Sequence, residues 1–214
     1  MKKFLIILSI LLFSLPVYSE YSNIKGKTEY NCGPVSSANC IINLYDKQYP
    51  NMVEELSKLE KTKQTGTTVT NLCRGLNKYL KQNNLKANIS YYGIINADKK
   101  YQKLHGICLE KLQGQGIVNI GIYKRYNDTY IRQGSRYVTI TGIGDNSLYV
   151  LDPYSKHQDV ETWTFEKQKL NLINKDKYET FSQANEAYII TSPVDYLEEG
   201  EFIIINGVII VNPA

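Results

Sequence analysis

The chain has 214 residues, 43% of them hydrophobic, which is enough to build one domain around a sizeable core. Its formal net charge is +4, or +2 without residues 1–19, and the latter is too small to argue for nucleic acid or an anionic membrane surface as a partner. Four cysteines without a C-x-x-C pair, and only two histidines (His105 and His157), argue against a zinc site, and no other cofactor is implied.

Taken in chain order, residues 1–19 read as a signal peptide. Lys2 and Lys3 precede an apolar run over 4–15, and Val17-Tyr18-Ser19 offers a small-residue cleavage site. The run is shorter than the about 20 residues a spanning helix needs. Cleavage removes two of the 25 basic residues and none of the 21 acidic ones, lowering the net charge from +4 to +2. The expectation is an exported bacterial protein (periplasmic, cell-surface or secreted) with no stable membrane anchor afterwards and a single domain over 20–214.

The domain begins with helical periodicity. Helices are predicted over 32–45, 52–59 and from Gly66-Thr67-Thr68 to about Gln82, followed by a strand over 87–92. A further helix is predicted over 99–112, with Gly114-Gln115-Gly116 as its breaker. The period then becomes alternating: a strand over 117–123, a polar loop through Gly134, and a hairpin pairing 137–141 with 148–151 across 144–147. Another strand falls at 187–191. The tail over 202–211, with Asn206-Gly207 at its centre, reads as an extra hairpin covering a sheet edge, and the lysine-rich stretch 167–177 as a solvated face. Helices first and antiparallel strands afterwards imply an α+β fold.

Cys73 falls in the helical series Val69, Leu72, Leu76, Leu80, and Cys40, Cys73 and Cys108 read as small buried hydrophobes. An exported protein also permits disulfides, with three pairings open to four cysteines. Cys32 differs by position. In Asn31-Cys32-Gly33-Pro34, Asn31 suits a cap and Pro34 a first turn, so the thiol sits at a helix mouth where the dipole favours thiolate.

That motif, together with Gly66-Thr67-Thr68, the strand Arg136-Tyr137-Val138-Thr139-Ile140-Thr141-Gly142 and the stretch Leu148-Tyr149-Val150-Leu151-Asp152-Pro153-Tyr154, resembles the C39-like branch of the papain-like cysteine peptidases over residues 22–191. The resemblance implies a papain-like fold, with N-terminal helices packed on an antiparallel sheet. It implies Cys32 at the nucleophile position and Asp152 at the position that orients the base. It also exposes two departures. Arg136 stands where the family has its histidine, and arginine does not deprotonate in proteins. Gly26 stands where the family has the glutamine of the oxyanion hole, and one such donor is worth about 10²- to 10³-fold.

Two functional expectations follow. The first is an exported C39-like homologue with reduced or lost peptidase activity that holds a peptide or protein ligand in its cleft. Arg136 would then pair with Asp152 and hold Cys32 as a thiolate, or else point to solvent from an edge strand. The alternative is an active exported cysteine peptidase or acyltransferase using Cys32 with a substitute base, His157 first and His105 second. A third, structural reading ties Cys32 into a disulfide.

Overall fold

The computed structural model describes residues 24–26, 28, 30–112, 115–157, 159–174, 179–180 and 186–214. The signal-peptide reading of residues 1–19 lies outside them. Three helices come first: α1 (Cys32–Tyr45), α2 (Met52–Leu59) and α3 (Val69–Gln82). Thr68 caps α3, its side chain accepting the Asn71 N–H at 3.3 Å. Each helix lies where periodicity placed it.

The strands are β1 (Ala87–Gly93), β2 (Gln102–His105), β3 (Gly116–Tyr126), β4 (Thr129–Ile143), β5 (Ser147–Leu151), β6 (Glu161–Gln168), β7 (Asn171–Asn174), β8 (Glu179–Thr180), β9 (Ala187–Ile190) and β10 (Glu201–Pro213). The molecule is a mixed helix and mainly antiparallel sheet fold, as expected, but the sheet closes on itself. The pairings β3–β4–β5–β6–β9–β10–β3 form a complete ring, and among the described residues only β1–β2 and β4–β7 are parallel. The barrel is filled by the inward-facing set, including Val118, Ile120, Val138, Ile140, Trp163 and Ile205. A second core lies outside the wall, where α1 and α3 pack on Ile117, Tyr137, Ile209 and Val211. Alternation along β3, β4 and β10 thus serves two cores at once.

Three expectations are corrected. Residues 99–112 are not a helix. Asp98 forms a turn that accepts the Lys100 and Tyr101 N–H groups, β2 adds a parallel strand to β1, and Gly106 takes φ +146° before a single 3₁₀ turn at Leu109–Lys111. Pairing with an open sheet edge outweighs a weak helical pattern. The polar stretch to Gly134 is not a loop either, because β3 and β4 continue to a tight turn at Asn127 (φ 52°) and Asp128. The apolar side of Tyr130 is what holds this extension, its ring packing edge-on against Phe202 at 5.5 Å.

The third correction concerns the tail. Asn206-Gly207 is a bulge within one long strand, not a hairpin turn. Before it Ile203 and Ile205 enter the barrel, and after it Val208 and Ile210 do, so the parity of the inward face changes at a single extra residue. Buried Asn206 accepts from Tyr123 OH through its side chain (2.7 Å) and from the Ile94 N–H through its carbonyl (2.8 Å). A β-carbon on Gly207 would lie 2.5 Å from the Tyr91 ring and 2.8 Å from Gly93 Cα, so no larger residue fits.

Candidate active site

Cys32 is the first residue of α1, and β4 runs beneath that helix mouth. Ser36 Oγ donates to the Tyr137 carbonyl (2.9 Å), and Thr139 Oγ1 donates to the Ser36 carbonyl (3.0 Å), stitching the first turns of α1 to the strand that carries residue 136. Tyr137 OH in turn donates to the Thr67 carbonyl (3.0 Å), bringing the Gly66-Thr67-Thr68 segment to the same place. The motifs that were distant in sequence therefore do converge.

The thiol is not poised as the helix dipole alone would have it. Cys32 is 5% exposed, and burial pushes its pKa up. The backbone N–H groups of Tyr137 and Gly33, and the Arg136 charge, oppose that rise without overturning it. Asn31 occupies the cap position but its side chain makes no cap hydrogen bond, and its Oδ1 is buried without a partner. All four cysteines are free, so Cys32 is not held in a disulfide; Cys40 and Cys73 are buried in the hydrophobic core as expected, whereas buried Cys108 donates its thiol to Glu110 Oε1 at 3.1 Å.

Arg136 makes no ion pair with Asp152 among the described residues. Its guanidinium lies over two tyrosine rings, 4.8 Å from the centroid of Tyr154 and 4.4 Å from that of Tyr196. Asp152 is 1% exposed and follows β5; its Oδ1 accepts the Tyr154 N–H at 2.8 Å, an Asx turn closed at Pro153. Burial raises the Asp152 carboxyl, with the Tyr154 N–H, Tyr196 and Arg136 countering. Asp152 Oδ2 and the Tyr196 hydroxyl are both buried without an ordinary hydrogen bond, yet close enough for each to shift the other. The carboxylate thus faces a tyrosine where the resemblance implies a histidine.

The N-terminal segment seals one flank. Ile24 bonds Asn39 of α1 in both directions, N–H to Oδ1 at 2.7 Å and Nδ2 to carbonyl at 3.2 Å. Lys25 Nζ donates to the carbonyls of Asp152 and Ser155 at 3.1 Å each, and to that of His157. Burial lowers the Lys25 pKa, but three carbonyl acceptors hold it as an ammonium, so it supplies no lone pair to the site. Gly26 donates to the Pro153 carbonyl at 3.1 Å, and Tyr154 OH donates to the Thr28 carbonyl.

Neither rescue histidine is among the groups that act on the thiol. His157 is exposed in the loop after Asp152, where its backbone, not its ring, makes the contacts. His105 sits exposed on the edge strand β2, its Nδ1 3.2 Å from Gln102 Nε2. Reading the sequence missed Tyr196 and Lys25, which carry no local signal, and gave Tyr154 no role although it closes a quoted motif.

Two further features border the site. A cavity of ≈ 530 Å³ opens between the N-terminal segment, α1 and α2, lined by Ile24, Lys25, Asn31, Val35, Tyr49 and Met52 among others. Beneath the first turn of α1, Glu60 is fully buried with neither carboxyl oxygen hydrogen-bonded, one of them 3.3 Å from where a β-carbon on Gly33 would stand. Burial pushes its pKa well up, and Ser37 opposes this only in part. Among the described residues there is no cluster of three or more metal-ligating side chains, and no helix is long and apolar enough to cross a membrane.

No family model matches the chain, and no curated protein does. Three solved structures are similar to it at low identity. One is the peptidase domain of Streptococcus ComA, a bi-functional ABC transporter involved in a quorum-sensing pathway (18% identity over 91% of this chain and 99% of that one, TM-score 0.44). The second is a double-glycine-motif protease from an AMS/PCAT transporter, in complex with the leader peptide (15%, 90% and 91%, TM-score 0.42). The third is described as a C39-like peptidase from Bacillus anthracis (14%, 83% and 98%, TM-score 0.45).

Proposed function

We propose that the chain is an exported C39-like, papain-fold protein whose peptidase activity is reduced or lost and whose cleft holds a peptide or protein ligand. The observation that carries this reading is the environment of residue 136. An arginine lies over Tyr154 and Tyr196 at the position of the base, beside a Cys32 thiol whose pKa burial raises. A cysteine hydrolase needs a group that takes the thiol proton and returns it to the leaving amine. Arg136 cannot take it, Lys25 is occupied by three carbonyls, and the His157 ring is exposed and is not among the groups that act on the thiol. Loss of the base costs orders of magnitude in turnover.

The test is covalent trapping of Cys32 by a peptidyl vinyl sulfone between pH 5 and 9, with each cysteine mapped by mass spectrometry. Labelling only toward alkaline pH, with no step near pH 6–7, is expected. Fast labelling below pH 6 that is abolished by His157→Ala would overturn the reading in favour of an active enzyme with a substitute base.

A further inference from the structure

Arg136 combines three properties. It is half-buried, its aromatic contacts fix its position, and it makes no hydrogen bond or ion pair with any described residue. Its nitrogens are absent from the buried polar atoms that lack partners, so its donors reach solvent. A guanidinium offers five N–H donors around its edge in a fork that matches a carboxylate. Here aromatic rings lie against the group and the donors are left open.

The neighbouring carboxylate does not use them. Asp152 turns Oδ1 to the Tyr154 N–H and Oδ2 toward Tyr196, although the Arg136 charge is near enough to lower its pKa. The other local cation, Lys25, is consumed by three carbonyls. The positive end of α1 has no side-chain cap, and it is near enough to Arg136 for that charge to act on Cys32. The result is a positive, donor-rich site whose own acid is directed elsewhere, and burial moves that acid toward its neutral form, which lessens repulsion of a second one.

Building on the peptide-holding reading above, we infer that Arg136 is the receptor for a carboxylate carried by the peptide in the cleft, bound through the free edge of its guanidinium. Where a histidine would turn the peptide over, a permanent cation with paired donors retains one that already ends in, or displays, a carboxylate. Charge-assisted bonds to such a fork are worth about tenfold or more in affinity. The carboxylate has two sources, a peptide C-terminus or an acidic side chain.

The experiment follows the side-chain Nε–H resonance of Arg136 in the ¹⁵N-labelled protein, identified by its loss in Arg136→Lys. The probes are one hexapeptide library prepared as free acids, as C-terminal amides, and as amides carrying one internal Glu. Saturable movement of the Arg136 resonance with free acids but not plain amides upholds the inference with a C-terminal source. Equal movement with the Glu-bearing amides upholds it with a side-chain source. In either case Arg136→Lys, which keeps the charge and loses the fork, should bind about tenfold more weakly. If peptides shift other resonances while acids and amides leave Arg136 equally unmoved, the carboxylate receptor is wrong and the peptide-holding reading stands. If no peptide shifts any resonance, that reading falls and takes this inference with it.

Discussion

Gly26 and Tyr154 share one volume: a β-carbon placed on Gly26 would lie 3.1 Å from Cζ of the Tyr154 ring and 3.3 Å from its hydroxyl oxygen. The two departures from the C39-like pattern are therefore linked through a third residue. The ring that excludes a side chain at 26 is also one of the two that lie against Arg136. A side chain added at residue 26 while Tyr154 is in place meets an occupied space.

Gly26→Gln should accordingly destabilise the protein by about 1–3 kcal/mol, the usual cost of overpacking. In a Tyr154→Ala background the added cost should largely vanish, giving a coupling energy above about 1 kcal/mol in a double-mutant cycle. Urea denaturation of the four proteins measures it. Equal costs in both backgrounds would mean that Tyr154 is not the obstacle.

Arg136→His places an imidazole on the strand beside the first turn of α1, at the position from which Arg136 now lowers the Cys32 pKa. Alkylation of Cys32 at pH 7.5 should accelerate by at least about tenfold, below the 10²- to 10⁴-fold span of a well-placed base. Arg136→Gln should do the opposite, since it removes a charge that favours thiolate. No gain from the histidine would argue that residue 136 is not the base position.

Glu60 gives a pH signature that is independent of the thiol. Its folded pKa is raised above its unfolded value by burial, so the unfolded chain releases the proton first as pH rises. The associated stability is fully present below the unfolded carboxyl range and is lost as pH climbs toward the folded pKa. The slope is at most about 1.4 kcal/mol per pH unit. Glu60→Gln should remove this component, so that the variant loses less stability than the parent between pH 5 and 7. Parallel pH profiles would show that Glu60 ionises in the folded protein.

Gly75 lies where α3 crosses the end of α2. A β-carbon there would stand 2.5 Å from Glu60 N and 2.7 Å from Glu60 Cα, a collision with backbone that no rotamer relieves. Helix propensity favours alanine over glycine by about 1 kcal/mol, but the clash should win and Gly75→Ala should lose about 1–3 kcal/mol in urea unfolding. Gly134→Ala, with nothing within 4 Å of the added carbon, is the neutral comparison.

Local sequence determined what local physics controls. The three helices follow from apolar spacing and the Thr68 cap, and the hairpin of β4 and β5 follows from its turn. Phase changes were illegible. The parity switch at Asn206 looks like a hairpin turn until β3 and Tyr91 define what lies on either side, and residues 102–105, within the predicted helix, form a strand because β1 offered an edge. The same division runs through the site. The sequence by itself singled out Cys32 by its place at a helix mouth, and Arg136, Asp152 and Gly26 through the resemblance to the C39-like pattern. Only the tertiary structure decided that Tyr196, 60 residues beyond Arg136, lies against its guanidinium, that Lys25 is spent on carbonyls, and that burial raises the thiol. Cation–aromatic contact and desolvation depend on distances between remote segments, and no local pattern of residues encodes those distances.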